Sequence, residues 1–153
     1  MRRYTARTEH MGRATHKLAG SYLTIHSTTA ASELLSLSET IALQVFKRRA
    51  DKPGPIVTTG RTVTSIDFAV TNAWKKAVMR FRVRVLSAAD GGTVLKSEIT
   101  YFTTRQEQLL AFIPVGPKKL IGWNAYSTFM RTLQVTVQDA DRAAQASIVT
   151  VAG

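Results

Sequence analysis

Three arginines at alternate positions are the strongest chemical signal in this sequence. In the run KAVMRFRVRVL, Arg80, Arg82 and Arg84 alternate strictly with Met79, Phe81, Val83 and Val85. On a β-strand that alternation sends the arginines to one face and the apolar residues to the other. Successive guanidiniums then stand roughly 7 Å apart, near the spacing of consecutive phosphates along a nucleic-acid strand. Lys75 and Lys76 carry the charge into the preceding turn. Such a face can neutralise nucleic acid, an acidic protein surface or anionic lipid. It can equally be the solvated outer face of an antiparallel sheet, with Lys96 and Glu98 on a neighbouring strand, and Asp67, offering charge pairs.

A second anion site suggests itself at VGPKK. If Gly116 and Pro117 open a helix, the free backbone N–H groups there, with Lys118 and Lys119, could hold a phosphate or carboxylate. Lysines in a first turn oppose the helix dipole unless an anion is present, so the same residues also fit a plain exposed turn. Neither GxxxxGK[ST] nor GxGxxG occurs. Aromatic side chains beside a basic patch would let bases stack. Trp123 belongs to an apolar helical stripe, and Tyr101 shares a strand face with Leu95 and Ile99, which leaves Trp74 and Phe102 as the free rings.

Catalytic chemistry has little to work with. The three histidines, His10, His16 and His26, all fall in the first 26 residues, and the chain has no cysteine. A rigid Ser-His-Asp or His-metal site is therefore not expected, and no cofactor is implied. Asp139 and Asp141 are close in sequence but sit where a helix should end, which suits capping or solvation better than an acid/base couple. The expectation is a protein without enzymatic activity.

These residues sit in a 153-residue chain, 44% hydrophobic, with 21 Lys and Arg against 10 Asp and Glu, a net charge of +11. That length suits one domain with a real core. Residues 1–20 carry Arg2, Arg3, Arg7, Arg13 and Lys17 against Glu9 and lack apolar periodicity, so they read as a flexible basic arm ahead of a single domain at 21–153. Three alternatives stay open for that head: a start at Met11, a targeting segment, or a contact that orders on assembly. No apolar run approaches a membrane span, and a cytoplasmic location is expected.

The elements follow from periodicity. SYLTIHS suits a strand. In TTAASELLSLSETIALQVF, Leu34, Leu37, Ile41 and Val45 recur at helical spacing behind possible caps at Thr28 and Thr29, although Ile41, Leu43 and Val45 also alternate with period two. KRRADKPGP reads as a loop. Strands follow at VTSIDFAVTN, KAVMRFRVRVL and, after the SAADGG turn, TVLKSEITYFTT. The run from Gly116-Pro117 through Trp123, Tyr126, Met130, Leu133 and Val137 predicts a long helix, and ASIVTVA a final strand. The fold class is α+β: an antiparallel meander of three or more strands against a long C-terminal helix, with one helix between the first and second strands.

That order, with the stretch SEITYFTTRQEQLLAFIPVGPKKLIGWNAYSTFMRTL, resembles helix-grip domains of the START and pollen-allergen type, in their small bacterial members, over residues 21–140. The resemblance implies a curved sheet gripping a helix around an apolar cavity, here lined by Phe81, Ile99, Phe112, Trp123 and Met130. The strand after the long helix, and a strand count below the family's usual set, depart from that pattern. The family shares no catalytic motif, so no functional residue carries over. Three readings result: a binding or assembly module contacting nucleic acid or an acidic protein through the sheet face and the arm, a carrier of a small apolar ligand, or a self-associating subunit of a larger particle.

Overall fold

The computed structural model describes residues 16–48, 55–109 and 113–150. A 3-10 turn, Lys17–Gly20, precedes β1 (Tyr22–Ser27), and α1 (Ala31–Arg48) follows it. The meander β2 (Ile56–Arg61), β3 (Ser65–Thr71), β4 (Ala77–Ser87) and β5 (Thr93–Phe102) comes next. A two-stranded ribbon, β6 (Thr104–Leu109) with β7 (Ile113–Leu120), leads into α2 (Trp123–Ala140), and β8 (Gln145–Val149) closes the described chain. The main sheet has the order β2-β3-β4-β5-β1-β8, with every neighbouring pair antiparallel.

This is the expected α+β class, with the C-terminal helix on a large antiparallel sheet and one helix between the first two strands. Period-two sequences supply the inner face of the sheet: Leu23, Ile25, Ile66, Phe68, Met79, Phe81, Val83 and Leu95 are buried. Both helices pack on that face and against each other. In α1 the helical period prevails over the alternating one, since Leu34, Ile41 and Val45 are buried while Leu43 is exposed. Thr28 and Thr29 do not cap α1: Leu34 donates to the Ala30 carbonyl, and Thr28 instead binds Asp141 beyond the far helix. Asp141 closes the C-terminal end of α2, its backbone N–H donating to Val137. The hydrogen bonds it accepts from Thr28 and Ser27 hold its carboxyl below the usual range.

The centre of the core is aromatic. Phe81 lies 4.8 Å from Tyr126, 4.9 Å from Phe129 and 5.1 Å from Phe68, measured between ring centroids. The Tyr126 hydroxyl is paired with Ser97 Oγ at 2.9 Å, and burial pushes its phenol well above the ordinary range. Gly122 permits the entry to α2. Its φ is +86°, and a Cβ there would come within 3.2 Å of Met79 and 3.3 Å of Val70. Among the described residues no helix is long and apolar enough to cross a membrane.

One strand went unread in the sequence, and one expectation needs correction. IVTTGR forms β2, which has one buried aliphatic, Ile56, and whose remaining positions are exposed or half-buried, as befits an edge strand. Gly116 and Pro117 do not open a helix: they lie in β7, and α2 begins only at Trp123, after Gly122. Of the KRRADKPGP loop, Lys47 and Arg48 fall in α1, residues 49–54 lie outside the described residues, and Pro55 leads into β2.

Candidate nucleic-acid interface

The face of the sheet opposite the helices carries the arginines. Arg82 stands between Asp67 of β3 and Glu98 of β5, and Arg84 between Ser65 and Lys96. Directly opposed residues share a face, which puts these side chains within reach of one another and of their diagonal neighbours. Arg82 Nε donates to Asp67 Oδ1 at 2.7 Å, and that hydrogen bond and charge hold the guanidinium above its ordinary pKa. Arg84 Nη2 lies 3.5 Å from Glu98 Oε1, and Lys96 Nζ sits 5.0 Å from the centroid of the Tyr22 ring on β1. Two of the three arginines are thus charge-paired across the strands. Arg80 is exposed and has no carboxylate partner among the described residues.

Arg80 has an aromatic neighbour instead. β4 and β5 pair Arg80 with Tyr101 but Phe81 with Ile99, leaving Thr100 as an extra residue. This bulge reverses the alternation, turning Tyr101 onto the arginine face and Phe102, opposite Met79, toward the core it packs against. The expected assignment of these two rings is therefore inverted. A second bulge at Val78, between the pairs Val70–Met79 and Thr71–Ala77, lies at the same end of the sheet.

The turn from β3 to β4 completes this end. Asn72 organises it: its Oδ1 accepts from the N–H groups of Trp74 (2.9 Å) and Lys76 (3.0 Å), its N–H donates to the Lys76 carbonyl, and its carbonyl accepts from Lys75. Lys75 takes the left-handed position, φ +59°, that hairpins of this kind usually give to glycine. Trp74 projects from the turn, 85% exposed, with Lys75 and Lys76 exposed beside it. Lys76 lies just before β4, with the Val78 bulge between it and Arg80, so the two cations belong to the same end of the sheet without a regular strand spacing. Lys75→Gly should raise the unfolding free energy by about 0.5–1 kcal/mol by removing the left-handed lysine. Thermal unfolding checks this, and a lower Tm would contradict it.

The other predicted positions divide. Arg2, Arg3, Arg7, Arg13 and Phe112 lie outside the described residues. Lys17 is exposed on the 3-10 turn, which contacts β5. Because β1 starts with Tyr22 opposite Glu98, that turn lies toward the Tyr101 end. Gly116, Lys118 and Lys119 form no helix-start site. They belong to β7, where residues 116–118 bulge opposite Gln106, whose Nε2 donates to the Gly116 carbonyl at 2.9 Å. Of the proposed cavity lining, Phe81 and Met130 are fully buried, and Ile99 and Trp123 are partly buried against the core.

Sequence reasoning missed a cleft of about 480 Å³ at the opposite end of the sheet, lined by His26, Asp90, Gly92 and Gln145 among others. His26 Nε2 lies 3.3 Å from Asp90 Oδ1, and Gly92 leaves room for the contact, since a Cβ there would come within 3.1 Å of the imidazole. The Asp-Gly-Gly turn opposite a strand histidine was the available signal. The two hydroxyls of the described lining are engaged elsewhere, since Ser27 Oγ and Thr28 Oγ1 both donate to Asp141. No group of three metal-ligating side chains occurs among the described residues. No family model, curated protein or solved structure matches the chain.

Proposed function

We propose that the protein is a non-enzymatic binding module that contacts a polyanion through the sheet face opposite the helices and its basic N-terminal residues. The observation that carries this reading is Arg80: an exposed residue with no carboxylate partner among the described residues, beside Tyr101 and at the same end of the sheet as the basic Trp74–Lys76 turn, on a face that neither helix covers. Arg82 and Arg84, held by Asp67 and Glu98, contribute less to such contact and more to fixing the face. The mechanism is charge neutralisation with counterion release.

A carrier reading has less support, because the inner side of Phe81 meets aromatic rings at contact distance. Binding to heparin, a polyanion without bases, tests the proposal. Affinity should fall log-linearly with salt, with a slope of roughly −2 or steeper if Lys75, Lys76 and Arg80 each displace a counterion. A protein that fails to bind heparin at low salt, or binds it independently of salt, is not this module.

A further inference from the structure

We infer that the polyanion is single-stranded nucleic acid, with Trp74 and Tyr101 supplying stacking surfaces for its bases. The inference rests on the polyanion reading and adds to it the chemistry of the rings. An indole 85% exposed is unusual for tryptophan, which is highly buried on average. Its backbone is also held: Asn72 accepts from the N–H groups of Trp74, Lys75 and Lys76, so the turn that carries the ring is ordered before any partner arrives. Pre-ordering an exposed ring lowers the entropy lost on stacking.

Tyr101 is independent evidence, because the bulge at Thr100 removes it from the core-facing positions and sets it beside Arg80. A cation paired with one ring, Tyr101, with a second exposed ring on the adjoining turn, suits a single strand, the phosphate meeting the guanidinium while neighbouring bases lie on aromatic faces. An antiparallel sheet with both helices on its other face leaves such rings clear of the helices, as sheet-based RNA-binding domains do. A duplex would leave both rings unused, since its base faces are buried in the stack. An acidic polypeptide would use the cations but has no flat bases for the rings.

The chain has two tryptophans, Trp74 and Trp123. Trp123→Phe in the full chain therefore leaves Trp74 as the sole indole reporter. Oligothymidylate should quench its fluorescence, whereas heparin, polyglutamate and a DNA duplex should not. By anisotropy of a labelled oligothymidylate, in the otherwise unaltered protein, Trp74→Ala and Tyr101→Leu should each weaken binding by about tenfold. The same changes should alter heparin affinity less than about twofold, because stacking contributes nothing there. Heparin binding without Trp74 quenching by oligothymidylate, or with equal losses for both ligands, overturns the inference and leaves the polyanion reading intact. Quenching by polyglutamate or duplex to the same degree also overturns it. Absence of binding to every polyanion removes both.

Discussion

Reversing Lys76 and Arg80 together, Lys76→Glu with Arg80→Glu, should weaken binding to heparin and to oligothymidylate by a hundredfold or more at low salt. Each reversal removes an attraction and installs a repulsion at this end of the sheet, and the loss of two contacts lowers the salt slope by about 1.4. A chain of net charge +11 binds any polyanion to some degree, so the informative comparison holds charge constant. Arg131→Glu with Arg142→Glu changes the charge equally, at exposed positions on α2 and in the loop after it. If the sheet end is the site, that control keeps most of the affinity. Equal losses in the two variants would mean that net charge, and not this surface, does the binding. Both replaced side chains of the test variant are exposed, so its Tm should match that of the wild type within a few degrees, on the order of 0.5 kcal/mol.

The second large effect concerns the core. Phe81→Ala should lower the unfolding free energy by about 3–5 kcal/mol, a fall in Tm on the order of 10 °C. Phe81 is fully buried and touches Phe68, Tyr126 and Phe129, so truncation leaves a void bounded by three rings that cannot collapse into it together. Denaturant unfolding measures the loss. A cost below about 1 kcal/mol would point to space around the ring already, as a ligand-carrying cavity requires. The result therefore separates a packed core from a gripped ligand without knowledge of any ligand.

Strand β4 was legible because strict alternation admits one backbone geometry, and α2 because Trp123, Tyr126, Met130, Leu133 and Val137 keep a helical period. The cross-strand partners of Arg82 and Arg84 were legible too, since Asp67 and Glu98 are the acids of the adjoining strands. What could not be read was register. The bulge at Thr100 leaves no mark in composition, yet it exchanges the faces of Tyr101 and Phe102 and so decides which ring accompanies Arg80. Gly-Pro at 116–117 carried a helix-start signal that tertiary pairing overrode, because β7 pairs with β6 through a wide irregularity that holds both residues. The true start had its own mark in Gly122, immediately before the periodic run. β2 stayed hidden for a physical reason: an edge strand needs few buried residues, and IVTTGR has only one, Ile56.

The position of β1 has a consequence for how the chain reaches this structure. Tyr22 pairs on one side with Glu98 and on the other with Val149, so the first strand lies between the fifth and the last. Pairings of such sequence separation place the protein among slow, high-contact-order folders, with refolding in milliseconds to seconds. On the ribosome, the hairpins of β2–β4 can form while Leu23 and Ile25 await β5 and then β8. At ordinary synthesis rates that interval is on the order of ten seconds, during which an apolar strand remains open to pairing with other chains.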